Sequence, residues 1–443
     1  MKSVALHNLG CKVNEYEIEV MQQMLQEKGF KIVPFDEQAD IYVINTCTVT
    51  NIADRKSRQM LHKAKKKNPA AIVVAVGCYV QSAGEEALKD ACIDLAIGNN
   101  KKKDLVQIIE AYLEEQGYEQ QKKTLDGTTV IDINHTNEYE SMTLTQTGEH
   151  TRAFIKIQDG CNQFCSYCII PYARGRVRSR KADEILEEVS GLAAKGYKEI
   201  VLTGIHISSY GVDNSQPEQN LLWLLQQLHE VNGLERIRLG SLEPRIITEE
   251  FARGIASMPK ICPHFHLSLQ SGCNATLKRM NRRYTAEEYY EKVCLLRNVY
   301  ENPAITTDVI VGFPGETEEE FEESRAFVEK VGFYEMHVFK YSKRQGTVAA
   351  SMENQLTEKE KMKRSAVLLE LNEQMSMAYR KQMLHKKVVA LMEEEKQIDG
   401  QSYQIGHTKE YLRIAYRTDE DLSGQILEGE TIDFLQPDLL LFR

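Results

Sequence analysis

Short apolar runs of five to eight residues recur along most of the chain, and amphipathic stretches of helical period separate them. In residues 1–118 the runs are VALHN (4–8), DIYVINT (40–46), AIVVAVG (71–77) and IDLAIG (93–98). Continuous runs of this length suit strands buried on both faces, and intervening helices favour parallel pairing. From 151 the rhythm restarts with AFIKIQ (153–158), EIVLTG (199–204), RIRLGS (236–241), FHLSLQ (265–270), TTDVIVGF (306–313) and EMHVFKY (335–341). Helical patterns over 182–195, 218–231, 247–257, 285–300 and 317–331 fill most of the gaps. Six such repeats with little sequence to spare predict an open, partial (β/α)6 barrel. Chemistry in such folds sits at the C-terminal ends of the strands.

The ends of this α/β array are equally legible. Thr357 to Glu360 reads as a capping box with Leu356 as its staple, opening a long helix to about Lys386. Five short runs then follow in under 60 residues: KVVALMEE, SYQIGHT, YLRIAYR, GQILEGETIDFL and LLLFR. They predict a small antiparallel β-barrel, a shape that often binds oligonucleotides and also serves dimerisation or plain structure. Residues 119–146 are polar, with few core candidates, and read as a linker with one strand at TTVIDI (128–133).

At 443 residues the chain exceeds one ordinary core. No run of 18 apolar residues is present, and MKSVALHNLGCKVNEYE lacks the apolar stretch of a signal peptide. A cytoplasmic protein without a membrane partner is expected. That location decides how the ten cysteines are read, because clustered thiols in a reducing compartment bind metal or do chemistry. Cys92, Cys262, Cys273 and Cys294 have no clustered partner in sequence and read as ordinary thiols. A net charge of −10 argues mildly against nucleic acid for the chain as a whole. Basic clusters nonetheless recur at 63–67, 101–103, 173–181 and 277–283, and all but the arginine run at 173–181 read as solvated faces.

Cys11, Cys47 and Cys78 lie 36 and 31 residues apart, each just after an expected strand. Strand C-termini of a parallel sheet share one edge, the ligand-binding edge of open α/β sheets, so the three thiols can converge there. Gly10 and Gly77 beside them allow close backbone approach. Three thiolates without a fourth ligand suit a zinc ion with an open position or an iron–sulfur cluster with one iron free. Cys161, Cys165 and Cys168 crowd into one loop after the first strand of the second unit. His206 offers a fourth ligand in principle, but from a different loop, and a cluster with one unfilled iron fits the count better. Phe164 and Tyr167 in that loop would shield such a cluster from water.

The wording CNQFCSYC (161–168) after the first strand of a six-fold βα unit resembles the signature of radical S-adenosylmethionine enzymes. That resemblance implies a [4Fe–4S] cluster on Cys161, Cys165 and Cys168. Its fourth iron is chelated by the amino and carboxylate groups of S-adenosylmethionine, whose reductive cleavage yields a carbon radical. Together with Cys11, Cys47 and Cys78 and the C-terminal barrel, the whole chain resembles the methylthiotransferases. It then implies a flavodoxin- or Rossmann-like N-terminal domain (1–118) carrying a second [4Fe–4S] cluster, and a linker (119–146). A radical domain (147–375) and a TRAM or OB-like tRNA-binding barrel (376–443) follow. LGCKVNEYE (9–17) and CIIPYARGRVRSR (168–180) look most like the branch acting on N6-threonylcarbamoyladenosine at tRNA position 37. There the radical removes hydrogen from C2 of adenine, sulfur arrives from the second cluster, and a second S-adenosylmethionine supplies the methyl group. The branches modifying isopentenyladenosine or a ribosomal-protein aspartate are the neighbouring alternatives, and a non-catalytic iron–sulfur RNA-binding regulator is a remote one.

The same resemblance places cofactor contacts at strand ends: Thr203 and Gly204 in TGIH, Ser241 and Glu243 in GSLEP, Gln270 in SLQSG, and Asp308 in TDVIVGFPGET. Arg174, Arg176, Arg178 and Arg180 alternate with small or apolar residues, so an extended segment would project them from one face. Such a basic lip would meet tRNA phosphates or the carboxylate of the threonylcarbamoyl group. The expected partners are the anticodon loop around A37 and a reducing electron donor, with the protein a monomer.

Overall fold

The computed structural model describes residues 2–84, 87, 89–115, 129–147 and 151–443. Strands β1 (Ser3–Asn8), β2 (Lys31–Val33), β3 (Ile41–Thr46), β4 (Ile72–Gly77) and β5 (Leu95–Ile97) form a wholly parallel sheet. Their order, β2-β1-β3-β4-β5, is flavodoxin-like, with the topological switch point between β1 and β3. Every residue of β3 and β4 is buried, as continuous apolar runs require. β2 carries only three residues and leaves no periodic signal in the sequence.

The second unit contains β6 (Arg152–Asp159), β7 (Arg178–Ser179), β8 (Glu199–Gly204), β9 (Arg236–Leu239), β10 (His264–His266), β11 (Ala304–Val311) and β12 (Glu335–Lys340). Six of these run parallel in the order β6-β8-β9-β10-β11-β12. Two-residue β7 pairs antiparallel on the outer edge of β6, and among the described residues nothing joins β12 back to that edge. The barrel is therefore open, as the repeat count predicts. The FHLSLQ run pairs regularly only over β10. Beyond it, single bridges at Leu267 and Gln270 continue the contact, because Gln270 takes a left-handed φ of 71° that ends the ladder.

The two faces of β6 serve different cores. Ala153, Ile155 and Ile157 pack under the flanking helices, whereas Phe154 joins Tyr16 and Val20 of the Lys12–Glu27 helix. Met142 and Leu144 are buried in that same cluster, so the latter part of the expected linker contributes core residues instead of merely connecting. Residues 119–128 of that linker, including the start of the expected strand at 128–133, lie outside the described residues. Residues 129–133 carry no strand.

The capping box at Thr357 and Glu360 is present, and its helix runs Glu358–Gln382. Strands β13 (Lys387–Ile398), β14 (Gln401–Thr408), β15 (Arg413–Arg417), β16 (Ile426–Gln436) and β17 (Leu439–Phe442) close a barrel in the order β13-β14-β15-β17-β16. It departs from the expected antiparallel barrel in one pairing, because β15 and β17 run parallel. No helix among the described residues is long and apolar enough to cross a membrane.

The barrel docks through buried charge. Arg236 donates to His407 O (3.0 Å) and Val389 O (2.8 Å), and Arg238 donates to Lys409 O (2.9 Å). Both guanidiniums converge on Glu199, 1% exposed. Burial alone raises that carboxyl, but Arg238 and then Arg236 outweigh it and hold it at about 2, against an ordinary 4.5. A depressed carboxyl contributes stability above its unfolded value, and the contribution is lost as pH falls from 4.5 toward 2. Glu199→Gln should cost about 3–5 kcal/mol at neutral pH by leaving buried arginines uncompensated. It should also flatten the acid dependence, which urea denaturation at neutral pH and near pH 3 will read.

Candidate functional site

The first cysteine set sits where the sheet topology places it. Cys11 caps the Lys12–Glu27 helix after β1, Cys47 follows β3, and Cys78 opens the short Cys78–Ala83 helix after β4. Gly10 has φ 118°, and a Cβ there would lie 3.1 Å from Cys47 Cβ and 3.2 Å from its Sγ, so only glycine lets the first loop meet the second. Asn14 ties the loops together, donating to Leu9 O (2.7 Å) and Thr46 O (3.0 Å) while its own carbonyl accepts from Asn45 Nδ2 (2.8 Å). Cys47 and Cys78 are buried and Cys11 is exposed. Burial, more than the neighbouring thiols, pushes Cys47 up to about 11.

The second set lies at the mouth of the open barrel. Its loop leaves β6 through Gly160, φ 71°, where a Cβ would fall 1.8 Å from Arg176 O. Cys161 N donates to Gly175 O (3.0 Å), and Cys168 N to Cys165 O (2.9 Å) in a tight turn. The loop is fastened from the segment after β10, through Ser166 N to Met280 O (3.0 Å), Ser166 Oγ to Arg279 O (2.8 Å) and Asn281 Nδ2 to Phe164 O (2.9 Å). Tyr167 stands edge-on to Phe313, their centroids 6.4 Å apart, which makes one side of the loop apolar. Burial pushes Cys161 up to about 11 and Cys168 to about 12, so loading iron here releases protons. Clustered sulfurs without carboxylates interleaved suit iron–sulfur ligation. Gly160→Ala should prevent this loop from forming. Purified protein should keep less than about a tenth of the second set's iron, since backbone rather than a flexible side chain is struck. Iron and sulfide analysis will check this.

His206 is engaged within its own loop. Its Nδ1 meets Ser209 Oγ at 2.6 Å, and burial lowers its pKa to about 4, keeping the ring neutral. Thr203 and Gly204 end β8, and a Cβ on Gly204 would strike Ile207 Cγ2 at 2.9 Å. Ser241 is exposed after β9, while buried Glu243 accepts from Arg245 Nε (2.8 Å). Gln270 and Asp308 line a cavity of about 250 Å³ with Tyr167, Val49 and Phe339, drawn from both units. Asp308 Oδ2 also lies 3.3 Å from His266 Nε2, beside His337.

The arginine ribbon requires correction. Residues Ile170–Arg174 are helical, Gly175 turns with φ 72°, and only Arg178–Ser179 is strand, so the segment never presents one extended face. Arg174, Arg178 and Arg180 are 0–1% exposed. Arg180 pairs with Glu188, and Arg178 donates to Arg174 O (3.0 Å). Desolvated and turned onto internal partners, although Arg178 Nε and Arg180 Nε have no hydrogen-bond partner among the described residues, these three form no lip for phosphate. Arg176 alone is exposed, stacked over the Phe164 ring at 4.5 Å.

What the sequence did not reveal is a pair of guanidiniums on sulfur. Arg174 Nε donates to Cys78 Sγ and Arg282 Nη1 to Cys165 Sγ, each at 3.3 Å. The contacts span 96 and 117 residues, so no local pattern announces them. Arg282 belongs to a basic cluster that reads locally as a solvated face, but its guanidinium lies over the Tyr284 ring at 4.8 Å.

The chain matches the Uncharacterized protein family UPF0004 over residues 3–98 and the Radical SAM superfamily over 155–328. It is 40% identical to the threonylcarbamoyladenosine tRNA methylthiotransferase MtaB of Bacillus subtilis over 97% of this chain and 93% of that protein. The enzyme of the same name from Aquifex aeolicus is 42% identical over 90% and 95%. A tRNA-2-methylthio-N(6)-dimethylallyladenosine synthase of Alkaliphilus oremlandii is 34% identical over 98% and 90%. Among solved structures, the radical S-adenosylmethionine methyltransferase TsrM of Kitasatospora setae matches with a TM-score of 0.54 at 17% identity, covering 76% of this chain and 72% of that one. That likeness speaks for the fold alone. Identity of this degree over nearly the full length, with all six clustered cysteines inside the residues that the two domain models match, means that the chain belongs to the radical S-adenosylmethionine tRNA methylthiotransferase family.

Proposed function

We propose that the chain converts N6-threonylcarbamoyladenosine at position 37 of tRNA into its 2-methylthio derivative, the activity named for its Bacillus and Aquifex relatives. The observation that supports the reading most is one buried arginine, Arg174, that donates both to Cys78 of the first three-cysteine set and to Asp159, two residues before Cys161 of the second. Cys161, Cys165 and Cys168 would hold one [4Fe–4S] cluster and Cys11, Cys47 and Cys78 a second, with three thiolates offered to each. The group that Cys161, Cys165 and Cys168 would hold would supply, with S-adenosylmethionine, reductive sulfonium cleavage on an electron from an external reductant.

The remaining work falls to this chain's own side chains. Thr203, Ser241 and Glu243 receive the polar groups of the methionine and ribose. Gln270 and Asp308 line the cavity between the cysteine loops, and Tyr167 and Phe313 exclude water from its edge. Arg176 is the one member of the ribbon free to meet an anionic group of the nucleoside or backbone. The closed C-terminal barrel is the second tRNA-holding element. Mass spectrometry of tRNA nucleosides from cells lacking the gene tests the assignment. The 2-methylthio form of threonylcarbamoyladenosine should disappear, with unthiolated threonylcarbamoyladenosine in its place. Loss of a 2-methylthio isopentenyladenosine instead would move the chain to the neighbouring branch.

A further inference from the structure

Arg174 occupies a place that its expected role does not explain. It is fully buried and donates to Cys78 Sγ (3.3 Å), Asn14 Oδ1 (2.7 Å), both oxygens of Glu17 (2.9 and 3.0 Å) and both of Asp159 (3.2 and 3.1 Å). Asp159 lies two residues before Cys161 and accepts from Gly160 N (2.8 Å). One guanidinium thus touches a thiol of the first set and the residue that launches the loop of the second. Asn99 Nδ2 adds a donor to the same Cys78 sulfur at 3.5 Å and anchors Ala173 O at 2.7 Å.

The charge around it does not close. Around this guanidinium the buried cations are Arg174 itself, Lys102, Lys156 and Arg178, and the adjoining Arg180–Glu188 pair is neutral as a whole. The buried anions among them are Glu17, Asp159 and Glu140. Even with every carboxyl ionised, one positive charge is left over, and isolated buried charge is strongly unfavourable. The sulfur that Arg174 touches is where compensating negative charge can reside. Reduction potentials of iron–sulfur clusters depend on hydrogen bonds to their sulfurs and on local charge.

We propose that Arg174 is the positioning and potential-setting residue of the auxiliary cluster. Through its N–H on Cys78 and the surplus positive charge, it favours the reduced, more anionic form. Asn99 acts in the same direction with a neutral donor. The inference rests on the reading that Cys11, Cys47 and Cys78 hold a cluster.

The test uses the full chain carrying C161A/C165A/C168A, reconstituted anaerobically with iron and sulfide, and redox titration followed by electron paramagnetic resonance. If this parent loads no cluster, the auxiliary-cluster reading itself fails, and with it the inference. If it loads, adding Arg174→Gln should displace the reduction equilibrium at least tenfold toward the oxidised form, a midpoint lower by about 59 mV. Arg174→Lys, which keeps the charge, should fall between the two. A loaded R174Q protein with an unchanged or higher midpoint overturns the proposal. Should R174Q fail to load, Asn99→Ala decides, because it removes one N–H from the sulfur without altering the buried charge. Its midpoint must fall in the same direction, and an unchanged value overturns the proposal.

Discussion

Replacing Cys161, Cys165 and Cys168 together by alanine should abolish 5′-deoxyadenosine formation and leave roughly half of the wild-type iron and sulfide bound. Both halves of that result follow from the two loops being separately built. The second loop is fastened by Met280, Arg279 and Asn281, whereas the first is organised by Asn14, Asn45 and the ends of β1, β3 and β4. Removing three half-buried sulfurs from one loop therefore spares the scaffold of the other. The complementary variant, with Cys11, Cys47 and Cys78 changed to alanine, should still cleave S-adenosylmethionine but form no methylthio product. Such separation distinguishes a sulfur-inserting enzyme from a regulator that binds RNA through its clusters, for which neither variant would alter cofactor cleavage. Loss of all iron from the first variant would contradict a second cluster on this chain.

The sequence was most readable where one physical rule acts locally. Uninterrupted runs such as IYVINT and IVVAVG suit strands buried on both faces, and every residue of both is buried. Three cysteines after three such runs had to share a sheet edge once the strands were parallel. The Thr357–Glu360 box likewise marks its helix through contacts three residues apart. Legibility failed where long-range packing overrode local pattern. Alternation made Arg174, Arg178 and Arg180 look like one exposed face, yet a helix, a glycine turn and a two-residue strand send them inward, Arg174 to Glu17 across 157 residues and Arg180 to Glu188 across eight. Lys102, inside a KKK run that reads as solvated, is buried on Glu17 across 85 residues. The β15–β17 pairing is parallel for a comparable reason, since barrel closure joins strands that are not sequence neighbours.

Glu17→Gln should damage the fold about as severely as the loss of Glu199. Glu17 is fully buried on the Lys12–Glu27 helix and accepts from Arg174 at 2.9 and 3.0 Å and from Lys156 at 2.7 Å, while Lys102 pairs with it directly. Burial pushes its carboxyl up, but Arg174, Lys102 and Lys156 together hold it well below the ordinary carboxylate range. Glu17→Gln preserves shape and removes one negative charge from a site already rich in cations. Breaking a buried pair in this way costs about 3–5 kcal/mol, against about 5–15 kcal/mol for a whole domain. The N-terminal unit should therefore loosen from β6, seen as earlier urea unfolding and faster proteolysis. The sign with pH follows from the depressed carboxyl: the stabilisation is complete above the ordinary value of 4.5 and fades as acid protonates Glu17 below it. Because the harm comes from uncompensated charge, E17Q/K102M should recover part of the lost stability, although it deletes a second polar group. A double variant no more stable than E17Q would mean that Glu17 acts through shape or hydrogen-bond geometry, with charge balance a minor part of its effect.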